Sequence, residues 1–201
     1  HRLGARLVHV GTCAEYGAIP TPYSEQQVCQ PSGKYGELKY KATQSLTKSM
    51  EIDWTVVRPF RAIGPGDSAS VVWAAARAAV REESFEMTDG LQVREWNHVD
   101  AIARGIVASA VHPDAVHQII NLGGGPHMSV RDIVHRVFQL AHVDEHLVQL
   151  GARSRRLHEV DSLYGDHTKA NHLWGEIAQP PIDETLLSIL RAQSSSSGEY
   201  S

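Results

Sequence analysis

Trp54-Thr55-Val56-Val57-Arg58-Pro59, followed by the turn Gly64-Pro65-Gly66, is the stretch that decides the fold. A short run of β-branched and aromatic residues ended by proline and glycine reads as a buried strand. Upstream, Tyr35, Leu38, Ala42 and Leu46 recur at helical spacing, which predicts a helix over 34–50. Before it, Arg6-Leu7-Val8-His9-Val10 is a second strand closed by Gly11, and Gly17, Pro20, Pro22 and Pro31 mark the loop between. The alternation continues downstream. Helices are expected over 70–81, 99–110, 129–141, 168–174 and 182–193, and strands over 93–96, 118–121 and 147–149. Ser129 is placed to cap its helix, with Asp132 in the first turn. Strands alternating with helices imply an α/β fold with a mainly parallel sheet. Such sheets bind ligands at the carboxyl ends of their strands, here the loops after Val10, Val57 and Asn121.

The bulk properties exclude several classes. In 201 residues, 42% are hydrophobic and 21% charged, as in an ordinary globular protein. A net charge of −4 and a pI near 6.3 advertise no basic face for nucleic acid. No apolar run approaches the roughly 18–20 residues of a membrane span, and no signal peptide is recognisable. Two cysteines, Cys13 and Cys29, are too few for a disulfide framework, so a reduced, cytoplasmic setting is expected. The chain opens on His1 and runs almost at once into a strand, which reads as a fragment. The Ser-rich end, 194–201, reads as a disordered tail.

The chemistry centres on Tyr35-Gly36-Glu37-Leu38-Lys39. Tyr and Lys four apart on a helix share one face, and a nearby ammonium favours the phenolate form of a tyrosine. A phenol tuned that way exchanges a proton with a sugar hydroxyl or ketone at neutral pH. Alone, the pattern also fits a surface pair beside a half-buried tyrosine.

Its context resembles the NAD-dependent epimerase/dehydratase family, the extended short-chain dehydrogenase/reductases. Val8-His9-Val10-Gly11-Thr12-Cys13-Ala14-Glu15-Tyr16-Gly17 looks like the family's strand with its Ser/Thr motif. Pro31-Ser32-Gly33-Lys34-Tyr35-Gly36-Glu37-Leu38-Lys39 supplies the Pro-Ser-x-x-Tyr-Gly-x-x-Lys run. Arg58-Pro59-Phe60 with Gly64-Pro65-Gly66, Arg94 with His98-Val99-Asp100, Asn121-Leu122-Gly123, and Asp166-His167-Thr168-Lys169-Ala170 follow in the family's order. The resemblance implies the C-terminal part of a Rossmann-like domain over 1–66. It implies a small α/β substrate subdomain with returning Rossmann elements over 67–193, NAD or NADP as cofactor, and a nucleoside-diphosphate sugar as substrate. It assigns Thr12 a hydrogen bond to the reacting hydroxyl, Tyr35 the acid/base role, Lys39 the nicotinamide ribose, and Pro59 a place beside the nicotinamide. Arg94 becomes a diphosphate ligand, and Arg156 a second one, in a run where Arg153 and Arg155 also compete for the role. A homodimer through the Tyr/Lys helix is expected on the same ground.

Three features depart from the family. No Gly-x-x-Gly-x-x-Gly turn occurs in these residues, so the chain by itself is expected to bind dinucleotide poorly and not to turn over. Cys13-Ala14 stand where 4,6-dehydratases carry Asp-Glu, which leaves 4-epimerisation or reduction of a 4-keto sugar. Arg61 follows Arg58-Pro59-Phe60 where many epimerases carry Asn, either as a further phosphate contact or as a surface residue. Two other readings of the chain are a non-catalytic partner or scaffold and a dehydrogenase of a non-sugar alcohol. The relay residues speak against the first, and the arginines against the second. His142-Val143-Asp144-Glu145-His146 matches an inverted zinc motif, but it follows a helix end and reads as an exposed turn, so no metal is expected. Cys13 reads as a small buried thiol, and Trp54, Trp73, Trp96 and Trp174 as core.

Overall fold

The computed structural model describes residues 5–49, 51–157 and 159–196. In chain order its elements are β1 (Leu7–Val10), α1 (Lys34–Thr47), β2 (Trp54–Pro59), β3 (Ala62–Ile63), α2 (Val71–Val80), β4 (Phe85–Glu86), β5 (Val93–Glu95), β6 (Asn97–His98), α3 (Val99–Val111), β7 (Gln118–Leu122), β8 (His127–Ser129), α4 (Val130–Leu140), β9 (Val148–Gln149), β10 (Ser162–Leu163), α5 (Thr168–Trp174) and α6 (Ile182–Ser196). The main sheet is parallel in the order β1-β2-β7, with Val10 opposite Val57 and Val57 opposite Ile120. Parallel neighbours need a crossover, and α1 supplies it between β1 and β2. A second sheet runs β10-β5-β8, with β8 antiparallel to β5. β3 pairs with β6, and β4 with β9.

Alternation along the strands sorts the two faces of the main sheet. Val57, Ile120 and Leu122 point to one face and pack with Ile102 of α3 and Ala170 of α5. Arg58 and Asn121 point to the other, into a polar cluster at the strand ends. A separate apolar core joins α2, α4 and α6 through Val72, Ala75, Ala79, Ile133, Val137, Phe138, Leu186 and Ile189. Ser70 Oγ accepts the Trp73 amide and Ser129 Oγ the Asp132 amide, each at 3.0 Å, so both helices start at side-chain caps.

The elements differ from the sequence-based expectation mainly at their ends. β2 runs on through Arg58 and Pro59, because β7 continues the ladder opposite them to Leu122. α1 stops at Thr47, and Met50 lies outside the described residues. α6 continues past Gln193 to Ser196, into the segment read as a tail; 197–201 lie outside the described residues. β8 and β10 are held by β5, a long-range partner that local pattern does not reveal. In the His142–His146 stretch α4 has already ended, and the Glu145 carboxylate meets His135 at 2.8 Å and Gln139 at 3.1 Å. Among the described residues no helix is long and apolar enough to cross a membrane.

Candidate active site

The site grows from the turn after β1. Thr12 caps a single 3-10 turn, Cys13–Glu15: Oγ1 accepts the Ala14 amide at 3.2 Å, and Glu15 Oε1 accepts the Thr12 amide at 3.1 Å. This reciprocal arrangement is a capping box. It buries the Glu15 carboxylate completely, and Arg58 meets that charge at 3.0 Å. The Arg58 guanidinium also lies 4.5 Å over the Tyr16 ring. Tyr16 donates its hydroxyl to Asn121 Oδ1 at 2.7 Å, and Asn121 Nδ2 donates to the carbonyls of Tyr23 and Asp166. The carboxyl ends of all three strands of the main sheet are thus tied by one buried polar network.

Two glycines allow the turn to sit so close to its neighbours. A Cβ on Gly11 would lie 2.4 Å from Glu15 Oε1, and one on Gly36 would lie 2.6 Å from the Ala14 carbonyl oxygen. With hydrogen at Gly36, the first turn of α1 rests directly on the Thr12 turn. That contact brings Tyr35 and Lys39 beside Thr12.

A cleft of about 850 Å³ opens there, lined by Thr12, Tyr35, Lys39, Pro59, Arg61 and Arg94 among others. Tyr35 is 62% exposed at its mouth. Lys39 Nζ donates to the Val10 carbonyl at 2.6 Å, its one hydrogen-bond partner among the described residues. An ammonium carries three donors, so two remain to be used. Cys13 is buried, and burial pushes its thiol up to about 12 against a hydrogen bond from the Thr12 side chain.

Arg94 projects from β5 between β10 and β8. Its guanidinium donates to the Val93 carbonyl at 2.8 Å and to Glu159 Oε1 at 3.3 Å. Burial draws the guanidinium below its ordinary value, and the Glu159 charge opposes this. A second cleft, about 480 Å³, adjoins the first and is lined by Arg61, Arg94, Arg153, Arg156, Gln92 and Glu159 among others. The arginine run divides there. Arg155 is held by Asp89 and Asp161, each at 2.7 Å, and lines neither cleft. Arg153 lines the second cleft while paired with Glu86 at 3.5 Å. Arg156 lines the same cleft with no side-chain partner among the described residues. The structure therefore brings Thr12, Tyr35, Lys39, Pro59 and Arg94 around one cleft and puts Arg156 in its neighbour.

Several residues of this region were not singled out from the sequence. Glu15 had a local signal, the Thr-x-x-Glu spacing of a capping box. Arg58 stood in the Arg58-Pro59-Phe60 motif without a role, and Glu95 and Glu159 had no signal, because their partners lie far away in the chain. Glu95, beside Arg94, is fully buried and accepts from Gly124 N at 2.7 Å, Gly165 N at 3.0 Å and His167 Nε2 at 2.9 Å. Burial alone would push its carboxyl up. The hydrogen bond and charge of His167 and the two backbone donors outweigh burial and hold it below the ordinary value.

Known proteins resemble this chain in sequence and in fold. The chain is 27% identical over 202 residues to a dTDP-6-deoxy-L-talose 4-dehydrogenase (NAD(P)(+)) of Kitasatospora kifunensis, covering 94% of this chain and 63% of that one. It is 27% identical over 198 residues to a GDP-6-deoxy-D-mannose reductase of Pseudomonas aeruginosa, covering 92% and 64%. It thus spans just under two thirds of the length of both relatives. The structure of MoeE5 in complex with UDP-glucose and NAD superposes with a TM-score of 0.87 at 25% identity, covering 96% of this chain and 66% of that one. The sequence profile of the NAD dependent epimerase/dehydratase family matches residues 1–123, and the chain belongs to that family.

Proposed function

We propose that these residues form the proton-relay and substrate side of an NAD(P)-dependent enzyme that epimerises a nucleoside-diphosphate sugar at C4 or reduces its 4-keto form. One observation carries the reading: Thr12, Tyr35, Lys39 and Arg94 line a single cleft, and Arg94 is shared with an arginine-lined second cleft. The relatives named above act on dTDP- and GDP-linked sugars, and MoeE5 holds UDP-glucose with NAD. In this reading 1–66 serve the cofactor side and 67–193 mostly the substrate side.

The wall made by Val10, Gly11, Tyr35, Lys39 and Pro59 fits the nicotinamide-ribose end of a dinucleotide, because Lys39 keeps two donors for ribose hydroxyls beside an apolar proline. A nicotinamide held against this wall would supply the hydride exchange at the sugar carbon. Tyr35 moves the proton at the oxygen on that carbon. Thr12 donates a hydrogen bond to the same oxygen, while its own hydroxyl oxygen accepts from the Ala14 amide. Lys39 holds the ribose and keeps a positive charge beside the phenol. Arg94 and Arg156 hold the diphosphate, whose paired oxygens suit a guanidinium.

The 4,6-dehydration of a nucleotide sugar is disfavoured on chemical grounds. Cys13, where the dehydratases carry the acid, has its thiol proton held until about pH 12, and Ala14 has none to exchange. The Tyr/Lys helix α1 exposes Leu38 on its outer surface, the face through which a homodimer would form.

The test is turnover of UDP-, dTDP- and GDP-hexoses and their 4-keto forms, with NAD(H) or NADP(H), by the protein containing these residues. Tyr35→Phe should lower turnover about a hundred- to ten-thousand-fold, and Arg94→Ala should raise the Michaelis constant. If Arg94→Ala left that constant unchanged for every nucleotide sugar, the sugar-nucleotide assignment would be wrong.

A further inference from the structure

Beneath Thr12 lies a charge pair that the proton relay itself does not use. Glu15 is fully buried, and Arg58 shows 2% of its surface. Arg58 Nε donates to Glu15 Oε2 at 3.0 Å, and a second guanidinium nitrogen meets the same oxygen at 3.0 Å. The other carboxylate oxygen, Oε1, accepts the Thr12 amide at 3.1 Å. One carboxylate therefore joins Thr12 to a side chain of β2. We propose that Glu15, held by Arg58, is the positioning residue for Thr12 and fixes where its hydroxyl stands in the cleft. The proposal rests on the role given to Thr12 above and adds the groups through which that role is set.

Taking two charges out of water is expensive, and well-packed apolar residues of similar volume are often as stable or more so. Stability alone gives little reason for ions at this place. What the pair does supply is geometry. Thr12 is held at three atoms: its amide donates to Glu15 Oε1, its carbonyl accepts the Glu15 amide at 3.1 Å, and its Oγ1 accepts the Ala14 amide at 3.2 Å. The last two bonds are made inside the turn and would move with it if it tilted. Through Arg58, the carboxylate leads on to another element.

That element is itself well fixed. Arg58 stands opposite Asn121 in the ladder between β2 and β7. Its guanidinium lies 4.5 Å over the Tyr16 ring, and the Tyr16 hydroxyl donates to Asn121 Oδ1 at 2.7 Å. Asn121 and Tyr16 are fully buried. Thr12 is thus referred, through one carboxylate, to the two strands at the centre of the site. With Oγ1 occupied by the Ala14 amide, the hydroxyl proton is left for the cleft that Thr12 lines. Such precision matters, since a misplacement of about 1 Å can cost about a hundredfold in rate.

Steady-state kinetics of the protein containing these residues, with UDP-, dTDP- and GDP-hexoses, their 4-keto forms and NAD(H) or NADP(H), tests this. Removing one partner would strand a buried charge, so both are changed together. Glu15→Leu with Arg58→Met removes the ions and the acceptor; kcat should fall about tenfold to a hundredfold, with the Michaelis constant within about twofold. Glu15→Gln with Arg58→Met removes the ions but keeps an oxygen for the Thr12 amide, and should recover most of that loss. In a Thr12→Val background, itself lowered in kcat, the first double variant should cost less than about twofold more, because the pair acts through Thr12. Glu15→Asp keeps the charge for Arg58 and draws the acceptor back by one methylene. It decides the matter if the first double variant does not fold, and its kcat should fall about tenfold at an unchanged Michaelis constant. A kcat within about twofold of the parent in these variants, with Thr12→Val lowered, overturns the positioning role and leaves the proposed function standing. An undiminished further loss in the Thr12→Val background also overturns it. If the unaltered protein turns over none of these sugars, the proposed function falls and takes the positioning role with it.

Discussion

At the scale of single residues, the site separates the groups that can move a proton from those that only surround it. In the proposed reading Tyr35 moves the proton and Thr12 supplies a hydrogen bond, while Cys13, the next residue along the chain, packs against Tyr16, Tyr23 and Phe60 and shows only 9% of its surface to the same cleft. General acid–base groups contribute roughly a hundred- to ten-thousand-fold to rate. Tyr35→Phe should lower kcat within that range and leave substrate affinity nearly unchanged, because the phenol oxygen serves the reaction more than binding; steady-state kinetics would show it. The buried thiol makes an opposite prediction. Since the thiolate is the reactive form and burial holds Cys13 protonated up to about pH 12, iodoacetamide at pH 8 should leave Cys13 unmodified in the folded chain and modify it once urea unfolds the protein. Peptide mass mapping reads both states, and rapid alkylation of folded Cys13 would contradict the packing described.

Among elements, two contacts do most to shape the site. The first is the seat of α1 on the Thr12 turn at Gly36. Alanine there would drive a methyl group to 2.6 Å from a carbonyl oxygen, and overpacking of this kind costs about 1–3 kcal/mol. Gly36→Ala should therefore shift the urea midpoint downward, and it should reduce turnover further than the stability loss explains, because Tyr35 and Lys39 move with the helix. The second is the anchoring of β5 through Glu95. Its carboxyl is held below the ordinary value in the folded protein, so it contributes stability that is present above the unfolded value of about 4.3. That stability is lost as pH falls through the depressed folded value. Unfolding free energy measured across pH 2–6 should drop toward acid, and Glu95→Gln should flatten that part of the curve. Both contacts show where sequence reading stops. Helix α5 and the cap Ser129 were legible because their determinants lie within a turn or two. The Arg58–Glu15 pair spans 43 residues and the Glu95–His167 pair 72, and nothing local in a single sequence joins such partners. The same holds for the arginine run, where only the positions of Asp89, Asp161 and Glu86 separate Arg155 and Arg153 from Arg156.

For the molecule as a whole, the two clefts differ in how much of a ligand these residues can enclose. The second cleft draws its walls from Arg61 through Glu159, spanning β4, β5, α2, α4 and the loop before β10, so cations, acceptors and an apolar floor with Trp96 are all supplied within the chain. In the proposed reading the first offers Lys39 and Pro59 to the nicotinamide end of a dinucleotide, and the 201 residues contain no Gly-x-x-Gly-x-x-Gly turn to seat its pyrophosphate. A dinucleotide gains much of its affinity from that second anchor, so one ribose contact and one apolar wall should hold it weakly. The purified 201-residue chain is accordingly expected to bind its preferred nucleoside diphosphate while showing no micromolar affinity for NAD(H) or NADP(H). Binding of the nucleoside diphosphate should also weaken as salt rises, because arginines supply it. Fluorescence titration of Trp96, which lines the second cleft, follows the first ligand, and the reduced nicotinamide's own emission follows the second. Micromolar NADH binding by this chain would mean that the wall around Lys39 and Pro59 seats far more of the dinucleotide than its geometry provides for, and the division of labour between the clefts would have to be redrawn.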